Sequence, residues 1–225
     1  MNIPFVNNVG PLSSNPRTRK RTITKFTDKL GLIYFGTVNQ HTDDHKIIRG
    51  FTVSSSHRDN HYSVGTVDGY DVALVDRNDK IRQAGGAVSV CNWLILEIDL
   101  HTKQEIPHFF LQARNHDPKP YATLFTTFPT MKEVEFGTFE NYDHEFTSRF
   151  SLFARPSRSI EVERLFPAMV TRVLGAHFWP LSAELHEDKL YVYADNERVT
   201  PTLLETMVES GLWLAKHLDL QAELV

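Results

Sequence analysis

Alternating apolar and polar residues predict several β-strands in this chain, because successive side chains of a strand point to opposite faces of its sheet. The alternation is clearest over residues 87–100, where Leu94, Leu96 and Ile98 share one face. We expect this strand to form an antiparallel hairpin with residues 107–113. Further strands are expected over residues 47–54 and 146–154, with a polar loop over residues 55–60.

Two shorter hairpins are predicted from turn residues between strand-like stretches. Asp68 and Gly69 separate residues 61–67 from residues 70–75, and an Asp-Gly pair favours a type I′ turn because both central residues need a positive φ. The second hairpin is expected from residues 181–185 and 189–194.

A helical pattern replaces the alternation late in the chain. Apolar residues from Val162 to Val173 recur at intervals of three and four, which predicts a helix with one buried side. Proline breaks a helix in its interior but is tolerated at its start. We therefore expect the main helix to begin near Phe166 or Pro167, after a separate helical piece over residues 160–165.

A final amphipathic helix is expected over residues 202–218, with Thr200 or Thr202 as its cap. The predicted fold class is α+β: an antiparallel sheet of several hairpins, open or strongly curved into a barrel-like form, with two main C-terminal helices packed on one face. We assign residues 27–225 to this single α+β domain. The preceding residues 1–26 are expected to form a flexible, basic N-terminal arm.

The composition is that of an ordinary globular protein. Of the 225 residues, 41% are hydrophobic and 23% are charged, which provides enough apolar material for a substantial core. The single cysteine, Cys91, cannot form an internal disulfide, and we expect neither a signal peptide nor a membrane-spanning segment. These features predict a cytoplasmic protein.

Basic charge is concentrated near the N-terminus, although the net charge of the whole chain is −4. Clustered lysine and arginine can bind acidic lipid or nucleic acid without reading a sequence. A solvated arm without a ligand is the simpler interpretation of the same cluster. The candidate anion-binding residues are Arg17, Arg19, Lys20, Arg21 and Lys25.

Histidines provide a second candidate site. His41 and His45, and likewise His57 and His61, have aspartates between them and could supply ligands to zinc. Both pairs fall in predicted loops or strand ends, and neither has the glutamate that follows the first histidine of a metalloprotease helix. Exposed loop histidines are the simpler interpretation, and a metal-dependent hydrolase is the alternative.

Other catalytic patterns are missing from the sequence. It contains no Gly-x-Ser-x-Gly nucleophile motif and no glycine motif of a nucleotide-binding loop, so we expect no cofactor. Cys91 lies in an apolar strand and is expected to pack as a small hydrophobe. His108 lies in an apolar stretch, and we expect its ring nitrogens to be satisfied by a backbone or carboxylate partner.

Three stretches from Pro107 onwards carry a resemblance to a known family. They are Pro107-His108-Phe109-Phe110-Leu111, Phe166-Pro167-Ala168-Met169-Val170 and residues 184–193. In these stretches the chain resembles a family of uncharacterised bacterial proteins with a C-terminal α+β domain. The resemblance implies a strand, a helix that begins at a proline and a hairpin, in that order. Members often carry transmembrane helices ahead of this domain, and the basic segment is the element of this chain that would face a membrane.

Three functions are consistent with the sequence. The first is a non-catalytic binding or interaction domain with an unknown protein partner, because the residues form no recognisable catalytic pattern. The second is a binder of acidic lipid or nucleic acid through the basic arm, and the third is a metal-dependent hydrolase. The corresponding location is the cytoplasm or the inner face of the membrane.

Overall fold

The computed structural model describes residues 15–38, 56–82, 88–114, 128–136, 142–195 and 198–222, together with residues 86, 121 and 125. It contains one sheet of nine strands. The strands are β1 (Ile33–Val38), β2 (Ser56–Val67), β3 (Tyr70–Arg82), β4 (Val88–Asp99), β5 (Phe109–Ala113), β6 (Lys132–Glu133), β7 (Phe150–Ala154), β8 (Ser182–His186) and β9 (Lys189–Asp195).

All neighbouring strands pair antiparallel, in the order β1-β2-β3-β4-β9-β8-β5-β7-β6. The sheet is open rather than closed into a barrel. The α+β class with an antiparallel sheet is therefore confirmed, and the barrel-like form is not observed.

The predicted hairpin between residues 87–100 and 107–113 is wrong. Strand β4 pairs with β3 over the registers from Val72–Ile98 to Arg82–Val88, and its other edge pairs with β9. Strand β5 lies between β8 and β7. The alternation of apolar residues correctly identified both strands, but it carries no information about which strand is the partner.

Two of the predicted hairpins are confirmed. Strands β2 and β3 meet at Asp68 and Gly69, whose φ angles of 50° and 86° are the positive values that a type I′ turn needs. Strands β8 and β9 pair from Ser182–Tyr193 to His186–Lys189.

Two local predictions differ from the structure. Residues 56–60 of the predicted loop belong to β2, where Asp59 lies opposite Arg77 of β3 and pairs with its side chain. Residues 146–149 of the predicted strand are helical, because Asp143 caps a short helix by accepting a hydrogen bond from the backbone N–H of Glu145. The strand predicted over 47–54 lies outside the described residues.

The helices are α1 (Pro16–Leu30), α2 (His144–Arg149), α3 (Ser159–Arg164), α4 (Ala168–His177) and α5 (Pro201–Ala222). The start of α4 after Pro167 and the separate short helix α3 agree with the sequence prediction. Thr200 caps α5, since its hydroxyl accepts a hydrogen bond from the Leu203 backbone N–H.

We call the helix-covered side of the sheet the inner face. Its core is apolar and includes Leu96, Val192 and Leu185 from the strands, with α4 and α5 packed over it. Gly211 of α5 lies so close to the sheet that an added Cβ would be 3.0 Å from the Ile98 Cδ1 atom and 3.2 Å from a Val192 methyl carbon. The two main C-terminal helices thus share one face, as predicted.

We call the opposite side of the sheet the outer face. Its buried cluster is rich in aromatic rings, with Trp93 and Tyr121 at a centroid distance of 5.2 Å and Phe110 and Tyr121 at 4.9 Å. Tyr121 and Met131, from the connection between β5 and β6, are 2% and 4% exposed and help to bury this part of the face. Side chains of β1 and β2 at the other end of the same face stay more open.

Helix α1 changes the interpretation of the N-terminal segment. Residues 16–26, predicted as part of a flexible arm, form a helix whose Ile23 and Phe26 are 0% and 5% exposed. The threonines and lysines of this segment hid the apolar positions, which recur only at 23, 26 and 30. Residues 1–14 lie outside the described residues.

Candidate functional site

The best-defined concentration of charge is the outward side of helix α1. The helix begins after Asn15, whose side chain accepts a hydrogen bond from the Arg17 backbone N–H at 3.0 Å. It ends at Gly31, whose φ of 72° gives the left-handed conformation that closes many helices. Both ends are therefore fixed by local contacts, and the helix presents a defined face to solvent.

Arg17, Arg21 and Lys25 form a row along that outward side. They are spaced by four residues, so they lie on one side of the helix and span about 12 Å of its axis. All three are exposed. Lys20 is also exposed, but it lies about 100° around the helix from Arg21. We call these four residues the basic face.

Arg19, the remaining candidate for anion binding, is directed elsewhere. Its guanidinium makes two hydrogen bonds of 2.7 Å with the two carboxylate oxygens of Asp76 on β3. The side chains of Arg19 and Asp76 are only 14% and 9% exposed. Arg19 therefore attaches α1 to the sheet, and the structure does not bring it together with the other candidates for anion binding.

A groove of about 400 Å³ lies between the outward side of α1 and α5. Arg21 and Lys25 of the row line it together with Thr22 of α1 and Glu205 of α5. The Lys29 ammonium donates a 2.7 Å hydrogen bond to the Glu205 carboxylate, which raises the pKa of Lys29. This ion pair neutralises Lys29 near the C-terminal end of α1, and the basic face lies N-terminal to it.

The predicted histidine groups are not brought together by the described structure. His41 and His45 lie outside the described residues, and of His57 only the backbone, in β2, lies within them. His61 lies beside α1, where its Nδ1 atom is 2.7 Å from the Tyr34 hydroxyl. Burial lowers the pKa of His61, and nearby Lys20 and Arg19 act in the same direction against Asp76.

Among the residues that the structure describes, no group of three or more histidine, cysteine, aspartate or glutamate side chains has the arrangement of a metal site. Cys91 is 2% exposed in the aromatic cluster of the outer face. Its burial agrees with the expectation of a packed small hydrophobe.

His108 has the carboxylate partner that its apolar surroundings predict. Its Nε2 atom lies 2.9 Å from one oxygen of Glu184, and the Tyr193 hydroxyl donates a 2.8 Å hydrogen bond to the other. His186 packs edge-on at a ring distance of 4.8 Å. This group is on the outer face, so the sheet separates it from His61 and α1.

A second buried polar group on the outer face was not predicted from the sequence. The Arg77 guanidinium forms hydrogen bonds of 2.7 and 2.9 Å with the two carboxylate oxygens of Asp59, and Asp59 is 1% exposed. Burial acts to lower the pKa of Arg77, but Asp59 and Asp79 more than offset it, and that pKa is raised. The available signal was the alternation of β3, in which Arg77 and Asp79 share a face with Ala73 and Val75.

These features define an α+β protein with an open nine-stranded antiparallel sheet, a helical layer on one side and a basic helix at the edge of that layer. No family model matches the chain, and no curated protein matches it. The chain is similar in fold to a solved structure, the mycobacterial trehalose monomycolate transport factor A, TtfA. The two align with a TM-score of 0.61 and 8% sequence identity, over 90% of this chain and 95% of that one.

At this level of identity the similarity establishes the fold alone. It extends over nearly the whole of both chains, so the shared fold is not confined to one part of either. None of the helices within the described residues combines the length and apolar character that crossing a bilayer requires.

Proposed function

We propose that this protein is a non-catalytic binding domain that attaches to membrane surfaces containing acidic lipid through helix α1. The observation that carries the proposal is the row of Arg17, Arg21 and Lys25 on the exposed side of a helix that is otherwise fixed to the domain. A cation near an acidic lipid surface contributes about 1 kcal/mol, so three in a row give useful affinity.

The way in which α1 is held supports the proposal. Ile23 and Phe26 bury the opposite side of the helix, and the Arg19–Asp76 ion pair fixes its rotation. The basic face therefore needs little ordering when it meets a flat anionic surface, and less conformational entropy is lost than with a disordered arm.

Lipid is favoured over nucleic acid by what surrounds the row. The exposed side of α1 carries threonines and an aspartate, Asp28, but no aromatic ring on which a base could stack. TtfA, whose fold is similar, is named as a transport factor for trehalose monomycolate. These points make acidic lipid the ligand to test first.

The test is sedimentation of the full chain with vesicles of phosphatidylcholine containing about 30 mol % phosphatidylglycerol. The variant Arg17→Gln/Arg21→Gln/Lys25→Gln should bind these vesicles roughly a hundredfold more weakly, from about 1 kcal/mol for each cation. Added salt should weaken binding of the unmodified chain, because exposed charges are screened.

The matched control removes three exposed arginines elsewhere, as Arg155→Gln/Arg172→Gln/Arg198→Gln, and leaves the same net charge. It should bind acidic vesicles as the unmodified chain does. Equal losses in the two triple variants, or no preference for acidic over neutral vesicles, would refute the proposal. Tighter binding to a DNA duplex, lost in the first triple variant only, would replace lipid by nucleic acid as the ligand.

A further inference from the structure

The outer face carries a second surface that the basic face does not explain. Ile33 and Phe35 of β1 are 62% and 58% exposed, which is unusual for large apolar side chains on a sheet. Phe35 packs beside Tyr62 at a ring distance of 5.9 Å, and Ile33 is in register with Val64. We call these four residues the apolar edge.

The apolar edge continues the buried cluster of the same face. Tyr62 and Val64 pack against that cluster, whose Val75 and Ile95 are both fully buried. The connection between β5 and β6 helps to bury the far part of the cluster, around Trp93 and Tyr121. The part of the cluster next to β1 ends in the apolar edge, whose exposed side chains are suited to contact with another surface.

A depression of about 330 Å³ adjoins the apolar edge. Tyr62 and Val64 form one wall, and Asp71, Glu97 and Asp99 supply carboxylates to its lining. Lys189 contacts this group through ion pairs with Glu97 and, at 2.8 Å, with Asp99. Counting only residues that the structure describes, three carboxylates with one ammonium give the depression an excess of negative charge.

Glu97 is the most enclosed of the three carboxylates. Its side chain is 9% exposed, against 49% for Asp99. Burial raises the pKa of Glu97 in spite of the Lys189 ion pair. A cationic group entering the depression would therefore meet a carboxylate that is incompletely compensated by its own protein.

From this juxtaposition we propose that the apolar edge and the acidic depression form a docking surface for a segment of another protein that combines apolar side chains with a lysine or arginine. The apolar side chains cover Ile33 and Phe35, and the basic side chain enters the depression between Tyr62 and Glu97. Charge complementarity selects this occupant, because the same carboxylates repel the acidic lipid that the basic face attracts.

The probe for this surface is a fluorescein-labelled octapeptide in which leucine and lysine alternate, titrated with the full chain and followed by fluorescence anisotropy. The matched probe replaces each lysine by glutamate. The lysine peptide should bind saturably, and Phe35→Thr and Glu97→Gln should each weaken it about tenfold. The glutamate peptide should bind at least about tenfold more weakly than the lysine peptide.

Two matched variants test the location of the peptide. Val90→Thr alters a similarly exposed apolar residue, and Asp28→Asn removes a carboxylate from α1. Both should leave peptide affinity within about twofold of the unmodified chain. The proposal is overturned by equal binding of the two peptides, by no saturable binding, or by losses in the control variants that match those of Phe35→Thr. It is also overturned if the unmodified chain dimerises with rising concentration and Phe35→Thr abolishes the dimer, since the occupant is then a second copy.

Discussion

The inner and outer faces of the sheet bury their side chains in different ways. Strand β3 shows this within one element, because Val72 and Leu74 enter the apolar core under the helices while Arg77 and Asp79 are buried on the other side. Helices cover most of the inner face through apolar contacts, and Asp76 of the same strand is buried there in its ion pair with Arg19. The outer face buries charges within an aromatic cluster, and buried charges must be paired to be tolerated.

The two sides also differ in the charge that they show to solvent. The helical side carries the basic face of Arg17, Lys20, Arg21 and Lys25, and the outer side carries the acidic depression around Glu97. A net charge of −4 conceals this separation. It means that one domain can offer different surfaces to an acidic membrane and to a basic protein segment, with the sheet between them.

The largest expected effect comes from breaking the buried ion pair of the outer face. Arg77→Met removes the guanidinium that pairs with the buried Asp59 carboxylate, which should lower the free energy of unfolding by about 3–5 kcal/mol. Urea denaturation followed by circular dichroism measures the change.

The matched control for that variant is the double substitution Asp59→Leu/Arg77→Met. Removing both charges together should recover most of the lost stability, because apolar groups of similar size often replace a buried pair at little cost. A double variant as unstable as the single one would mean that shape rather than charge governs this position.

The next effect concerns the attachment of α1 to the inner face. Ile23→Ala should lower the free energy of unfolding by about 2–4 kcal/mol, since the side chain is fully buried. In this variant the amide hydrogens of α1 should exchange with solvent faster than those of β4. Binding to acidic vesicles should weaken, although every cation of the basic face remains. Unchanged vesicle binding with a destabilised α1 would indicate that the basic residues act without the docked helix. Thr24→Ala, at a half-buried neighbouring position, is the control.

Local structure was predictable where short-range chemistry decides it. The Asp68-Gly69 turn, the start of α4 after Pro167 and the cap of α5 by Thr200 all follow from single residues and their neighbours. The pairing of β4 with β3 and β9 was not predictable in this way. The sequence of a long apolar strand does not distinguish its two edges. The choice of partner strand depends on the packing of the whole sheet.

The same limit applies to the candidate site. Arg17, Arg21 and Lys25 were selected for their charge, and the structure places them in one row. Arg19 has the same charge and lies in the same basic stretch of the sequence. Its attachment to the sheet depends on Asp76, which is 57 positions further along the chain. The partner of His108 was predictable as a class, a backbone or carboxylate group, whereas its identity as Glu184 depends on the pairing of β5 with β8.

A smaller effect tests the second polar group of the outer face. Tyr193→Phe removes the hydroxyl that donates to the buried Glu184 carboxylate and should lower the free energy of unfolding by about 1–2 kcal/mol. Tyr191→Phe, on the same strand and the same face, is the comparison variant. Equal losses of unfolding free energy in the two variants would show that the hydrogen bond from Tyr193 to Glu184 contributes no more than the Tyr191 hydroxyl does.

The smallest and most diagnostic effect is a dependence on pH at the acidic depression. Burial outweighs the Lys189 ion pair and raises the pKa of Glu97 above its ordinary value of 4.5, so the folded chain holds this proton more tightly than the unfolded chain. The stabilisation that protonated Glu97 gives is complete below about pH 4.5 and is lost as the pH rises through the folded pKa. Ionised Glu97 therefore costs stability at neutral pH.

Glu97→Gln mimics the protonated side chain and should be more stable than the unmodified chain at pH 7, with the difference shrinking as the pH falls towards 4.5. Lys189 keeps its ion pair with Asp99 in this variant. Asp71→Asn removes an exposed carboxylate from the same depression and is the matched control, because solvent screens an exposed charge. A Glu97→Gln chain that is less stable at pH 7 would mean that the Lys189 ion pair outweighs burial, and the depression would then be satisfied internally rather than poised for a cation.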